Sequence, residues 1–428
     1  MHEPGDLATA IDRLAEFNDD PAAGGITREV FTPTYAAGLE WVAERMRDAG
    51  MRTRIDAFGN LWGRWEGSDP DAARVVTGSH VDTTLNAGRF DGVVGVLGAI
   101  EAVRALRDSG HAPRRGIEVI AFAGEEPRFG TGCIGSRALV GALGRDDLDR
   151  LRDRDGVTLA QALEQAGLDP DRVPECVLDP AQVHAFVELH IEQGIVLETG
   201  GEAIGVVTAI AAPHDFRLTF HGAATHSGAT PMALRRDALA GAAEAMVELE
   251  RLARESPSGT TVGTVGVLRL QPGAINVVPG DVELDVDVRD SDREAREAVV
   301  DGLVEAARAI AERRNLTVEV TPIVLDTPVT CSPVVVEATA EACAELGLRH
   351  RRMISGAYHD AMILAARVPV GMIFVPSRGG VSHHPDEYTA PEQVADGVDV
   401  LTGVLRRLSA SFASGEAAGS HDGGPADA

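Results

Sequence analysis

The chain contains no lysine; all 39 of its Lys/Arg-type basic residues are arginine. That excludes Schiff-base chemistry and the lysine-dependent phosphate loop of nucleotide hydrolases, because both need an ammonium group. Cysteine is scarce as well. Cys133, Cys176, Cys331 and Cys343 stand far apart and form no C-x-x-C pair. This argues against a structural zinc knuckle and against a disulfide framework, and it fits a reducing cytoplasm. No apolar run approaches the roughly 20 residues that span a bilayer. The N-terminal stretch MHEPGDLATAIDRLAEF reads as an amphipathic helix, not as a signal peptide.

Negative charge is what abounds. The 66 acidic residues leave a formal charge of −27. Such a surface repels nucleic acid and anionic lipid, so neither is expected as a partner. The 428 residues are too many for one ordinary core and enough for two domains.

Periodicity divides the chain. ARVVTGSH, GIEVIAFAG, HAFVELHIE and VPVGMIFVP are short apolar runs of the kind buried on both faces of a sheet, and helical patterns separate them. They predict an α/β domain with a mixed, largely parallel sheet flanked by helices. The middle third differs. DFRLTFHG, TTVGTVGVLRL, VELDVDVRD and LTVEVTPI alternate apolar and polar residues, the mark of a sheet with one wet face. Helices near Arg236–Arg254 and Arg293–Arg313 fall between them. The expectation is a discontinuous catalytic domain, 1–212 and 325–428, with a smaller inserted α+β lid or dimerisation domain at 213–324. Residues from about 411 to 428 are poor in apolar side chains and read as a disordered tail.

Ligands of open α/β sheets bind beyond the carboxyl ends of the strands. His80 and Asp82 follow the first buried run. Glu125 and Glu126 follow the second, and His190 lies within the third. His383 follows the fourth, and Asp91 opens the helix after His80. Any one of these has an ordinary explanation: alone, Glu125-Glu126 reads as a solvated acidic turn. Five converging on one sheet edge point to a metal centre, since imidazole and carboxylate are the ligand set of zinc and similar cations. Asp91 is placed to bridge two ions, with His80 and His190 completing one shell and Glu126 and His383 the other. Paired ions can share and acidify a water. The Asp82 carboxylate is placed to accept the other N–H of His80. Glu125, beside a ligand but not needed as one, is placed to act as general base.

GSHVDTTLNAGRFDGVVGV, GEEPRFGTGCIGSR, ELHIEQGIVLE, HSGATPMALRRDAL, INVVPGDVELDVDVRD, SGAYHDAM and FVPSRGGVSHHPDEYT resemble the di-zinc aminoacylase and carboxypeptidase superfamily. More closely, they resemble its N-carbamoyl-L-amino-acid hydrolase, allantoate amidohydrolase and ureidoglycolate amidohydrolase branch. The matching pieces run in order from about residue 75 to 390. The resemblance implies the same five ligands, with Glu125 as base. It implies two divalent ions per subunit, zinc first, with manganese, cobalt and nickel also accepted by such ligands. It further implies that Gln193 contacts the ureido group and that His226 polarises the scissile carbonyl across a homodimer interface. Asn276 and Arg289 would hold the substrate carboxylate. Taken alone, His226 reads as a turn residue and Arg289 as a solvated strand end. His384 competes with His383 for the metal, and the family pattern favours the histidine directly after Ser382.

Two departures stand out. Tyr358 occupies a place where many carbamoylases carry glycine, which shifts the expectation towards ureidoglycolate-like substrates or another altered specificity. Pro127 replaces a usual glycine. The expected activity is hydrolysis of a linear C–N bond in a small ureido carboxylate, releasing ammonia and carbon dioxide. The alternatives are a metallo-dipeptidase or N-acyl-L-amino-acid deacylase of the same fold and, more remotely, a non-catalytic binding protein.

Overall fold

A computed structural model describes residues 4–410. The expected tail at 411–428 lies outside the described residues. The chain divides into two compact units. The larger comprises Met1–Val206, Ser332–Arg352 and His359–Ala428, and the smaller Val207–Cys331 and Met353–Tyr358.

The larger unit is built on a mixed sheet. Four parallel strands lie side by side in the order Ile117–Phe122, Arg74–His80, Val183–Ile191 and Val370–Val375. An antiparallel hairpin, Arg52–Ile55 and Leu61–Trp65, extends the sheet beyond Ile117–Phe122. The apolar runs become strands because only a sheet covered on both faces buries every side chain of a strand. Ile117–Phe122 and Val370–Val375 are buried at every position. The helices Val93–Asp108 and Pro391–Ala410 pack against each other and against the sheet. Val93–Asp108 is buried over almost its whole length, which explains why its sequence is apolar all round rather than on one stripe. Among the described residues no helix is long and apolar enough to cross a membrane.

The smaller unit is an antiparallel sheet in the order Thr317–Leu325, Ala212–His221, Asp281–Asp290 and Val262–Gln271. The helices Ala238–Arg254 and Arg293–Arg313 cover one face. Phe216, Leu218, Phe220, Val282, Leu284, Val286 and Leu303 form its core. Strict alternation of burial along Asp281–Asp290 follows from that one-sided cover. A two-residue pairing sets His226 opposite Val277. The SGAYHDA segment is split, since its first residues, through Tyr358, group with the smaller unit, and His359 and Asp360 with the larger.

Candidate active site

Parallel strands end together, so their carboxyl ends share one edge. Register pairs His80 with Phe122, three residues before Glu125, and His190 with Phe374. A loop beyond Val375 delivers Ser382 and His383. Asp91 precedes the helix Val93–Asp108, which follows the His80 strand.

Asp91 is the centre of the cluster. Its Oδ1 lies 3.5 Å from His80 Nε2 and 3.2 Å from His190 Nε2. Its Oδ2 lies 3.2 Å from His383 Nε2, which is also 3.4 Å from Glu126 Oε1. The residues thus sort into two donor groups, His80–Asp91–His190 and Asp91–Glu126–His383, sharing the central carboxylate. Both buried imidazoles are oriented from behind. Nδ1 of His80 meets the Asp82 carbonyl at 3.0 Å, and Nδ1 of His190 the Ile191 carbonyl at 3.0 Å. Carbonyls only accept, so each Nδ1 carries the proton and each Nε2 presents a lone pair. His80 Nε2 is buried without a hydrogen-bond partner. A buried lone pair among carboxylates is costly unless a cation meets it, so the donor set fits paired divalent ions.

The Asp82 carboxylate does not hold His80. Its Oδ1 is 3.7 Å from Nδ1, and its oxygens instead accept the main-chain N–H of Glu126 at 3.0 Å and of Glu125 at 3.4 Å. Those turn amides have no strand partner, and a neighbouring strand end brings the carboxylate to them. Asp82 therefore shapes the Glu125–Glu126 turn, and its carbonyl orients the imidazole.

Burial raises Glu125 well above the usual carboxylate range, and the negative charges of Glu126, Asp360 and Asp91 add to this against the pull of His80. Burial and Asp91 push Glu126 up to about 7. Burial works against the ionised form of Asp91 too, but the closeness of His190, with His383 and His80 beside it, holds it well below the usual range. The Asp91 hydrogen bond raises His383 to about 9. The Cys133 thiol lies 3.6 Å from Glu125 Oε1.

Gln193 donates from Nε2 to Asp91 Oδ2 at 2.7 Å, so it joins the cluster through the central carboxylate. His384 lies outside it; its Nδ1 accepts the Asp386 N–H at 3.1 Å. Four further residues lie in the smaller unit. His226 is exposed, and its Nδ1 accepts the N–H groups of Gly228 and Ala229 at 3.1 and 3.2 Å. Its proton is therefore on Nε2, available for donation. Ser227 donates its N–H to the Asn276 carbonyl at 2.9 Å, which makes His226 and Asn276 neighbours. Arg289 donates Nε to both oxygens of Asp287 at 2.9 Å, and NH1 to the Gly356 carbonyl at 3.1 Å. Gly356 belongs to the segment that ends at Tyr358, which is half-buried.

Sequence reasoning gave no role to Glu387 or Glu188. Glu387 is buried and bonded to both the Asp91 and the His383 loops. Glu188 accepts from Ser79 Oγ at 2.7 Å and from Ala361 N at 3.0 Å. The His359 ring packs edge-on against His190 at 4.6 Å. The one available signal was an acid four residues after a ligand histidine, in SHHPDE.

A largely parallel sheet with imidazoles and carboxylates gathered at its carboxyl edge around one shared aspartate defines an α/β hydrolase with two candidate metal-binding groups. Residues 76–407 match the model of peptidase family M20/M25/M40, and the chain belongs to that family. It is 46% identical to an N-carbamoyl-L-amino acid amidohydrolase of Geobacillus stearothermophilus, over 92% of this chain and 96% of that protein. It is 43% identical to a ureidoglycolate hydrolase of Arabidopsis thaliana, over 94% of this chain and 86% of that protein. The crystal structure of a hydantoinase/carbamoylase family amidase from Burkholderia multivorans superposes with a TM-score of 0.89 at 34% identity, covering 96% of this chain and 98% of that one.

Proposed function

We propose that the protein hydrolyses a linear C–N bond in a small ureido carboxylate, releasing ammonia and leaving a carbamate that decays to the amine and carbon dioxide. The observation that carries this reading is the Asp91 carboxylate, with two imidazoles at one oxygen and His383 at the other. The relatives act on N-carbamoyl amino acids and ureidoglycolate by their names. The substrate is one of these or allantoate.

In this reading His80, Asp91 and His190 hold one divalent ion, and Asp91, Glu126 and His383 the second, with zinc the leading choice. Ions bound there supply Lewis acidity to the carbonyl and acidify water. Glu125 takes the proton of the attacking water and passes it to the leaving nitrogen. Burial and its acidic neighbours raise its proton affinity above that of a free carboxylate, the direction that a group carrying a proton between water and a leaving nitrogen needs. His226 donates its Nε2–H to the developing oxyanion, and Gln193 orients the ureido group. Asn276 and Arg289 hold the carboxylate. Asp287 occupies one side of the Arg289 guanidinium, so the substrate meets the remaining donors of that fork. Tyr358 narrows the pocket. The smaller unit serves as lid and dimerisation module, with His226 acting across a symmetric homodimer. Exposed Val262, Val267 and Leu268 on the edge strand Val262–Gln271 support that role. The setting is cytoplasmic.

The test is an ammonia-release screen on zinc-reconstituted protein with N-carbamoyl amino acids, allantoate, ureidoglycolate, N-acyl amino acids and dipeptides. Ammonia from a ureido substrate is expected. Turnover confined to dipeptides or N-acyl amino acids overturns the assignment. Glu125→Gln is expected to lower kcat by about 10²–10⁴-fold with the metal content retained. Normal turnover by this variant removes Glu125 from the mechanism.

A further inference from the structure

We infer that Glu387 is a positioning residue that builds one particular cation site of the pair, the one bounded by Asp91 Oδ2, Glu126 and His383. The inference rests on the two-cation reading above. Glu387 is 4% exposed, and its carboxylate joins two loops remote in sequence. Oε1 accepts the main-chain N–H of Phe90 at 2.9 Å and of Asp91 at 3.1 Å. Oε2 accepts the Ser382 hydroxyl at 3.0 Å and the His383 N–H at 3.3 Å. All four partners are donors, and a carboxylate is the side chain that accepts from all of them. The Ser382 Oγ also lies 2.7 Å from Asp91 Oδ2. Its single proton has two carboxylate oxygens to serve, so Ser382 couples Glu387 to the oxygen of Asp91 that faces His383.

The two sites need different support. His80 and His190 sit in strands with 1% of their side chains exposed, each held by a carbonyl that Glu387 does not touch. His383 sits on a loop at φ 54° with 48% of its side chain exposed. Its place depends on what anchors the loop, and Glu387 bonds its main chain directly. Removing that anchor unsettles the His383 site far more than the His80–His190 site. Outer partners of metal ligands commonly change affinity by about 10–100-fold.

Gly88 supplies an independent handle. A β-carbon built there would stand 2.2 Å from Glu387 Oε1. Gly88→Ala therefore displaces the clamp while every ligand and Glu387 itself remain.

The experiment strips the full-length enzyme of metal and titrates it with Co²⁺ alone, reading d–d absorption and bound-metal stoichiometry, with the thermal melt of the stripped protein as the folding control. The wild type is expected to take up two ions. Glu387→Gln is expected to hold one with affinity within about threefold of wild type and to bind the other about 10–100-fold more weakly. Gly88→Ala is expected to show the same asymmetry, and it decides the matter if Glu387→Gln does not fold. Two ions bound with wild-type affinity, or both weakened in parallel, overturn the inference and leave the two-cation reading intact. A wild type that binds fewer than two ions overturns both.

Discussion

Gly92 shows how tightly single residues are specified around Asp91. It donates its N–H to His190 Nε2 at 3.2 Å, and a β-carbon on it would lie 2.4 Å from the His80 ring. Its φ of 65° is one that side-chain-bearing residues rarely adopt. Gly92→Ala should therefore push His80 out of its donor group. The expected result is loss of at least one bound metal and a fall in turnover of about 100-fold or more, read by metal analysis and ammonia release. Full metal content at wild-type activity would show that the His80 ring has room to move. At this scale much of the site was legible. Imidazoles and carboxylates that follow apolar runs declare themselves, because strand ends in a parallel sheet converge by construction. The partners of those ligands were not legible. Asp82 was read as the support of His80 because the two are close in sequence, yet its carboxylate serves the Glu125–Glu126 turn on the next strand. Glu387 escaped notice because the short SHHPDE spacing shows only its bonds to Ser382 and His383, while the other half of its role lies in main-chain groups 296 and 297 residues away.

Elements were legible where cover is one-sided or complete, and less so at edges. The alternation in VELDVDVRD became a strand buried on one face. The same kind of pattern in TTVGTVGVLRL became the edge strand Val262–Gln271, whose inner positions Gly263, Val265 and Leu270 are only half-buried, because the strand has a neighbour on one side alone and takes its cover from the helix Ala238–Arg254. The smaller unit is also tied together by Asp290, whose side chain is fully buried. It accepts from Ser258 Oγ at 2.6 Å, Thr260 Oγ1 at 2.9 Å, Asp292 N at 3.0 Å and Thr261 Oγ1. These bonds join the loop before Val262–Gln271 to the end of Asp281–Asp290 and the start of the helix Arg293–Arg313. Burial alone would raise this carboxyl, but the Asp292 amide and the three hydroxyls hold it below its ordinary value. A depressed folded value means stability that is present above the unfolded value of roughly 4 and lost as pH falls through the folded one. Asp290→Asn should lower the unfolding free energy by about 2 kcal/mol at pH 7. The gap from wild type should hold down to about pH 5 and shrink below about pH 4. Urea midpoints of both proteins across that range are the measurement, and a gap that stays constant to pH 3 would rule this account out.

For the whole molecule the dominant quantity is a formal charge of −27 built with arginine as the only strong cation. Two electrostatic effects oppose each other. Surface pairs such as Arg251–Glu248, Arg172–Glu175 and Arg352–Glu337 stabilise the fold a little and weaken in salt. Exposed pairs of this kind contribute about 0–1 kcal/mol each, and several are neighbours on one helix that persist only as local contacts. The uncompensated negative charge acts over a longer range and opposes compaction. Salt shortens that range from about 30 Å at 0.01 M to about 3 Å at 1 M, so it removes the long-range repulsion first and the contacts at hydrogen-bond distance last. Repulsion should therefore win the comparison. The melting temperature should rise by a few degrees between 0.01 and 0.5 M KCl, a salt chosen because it lacks the strong exclusion effect of sulfate. The rise should be steepest at the low end, where the screening length crosses the spacing between surface charges. A melting temperature that falls over this range would mean that the arginine–carboxylate contacts outweigh the net charge, and that the acidity of the chain carries no penalty for its fold.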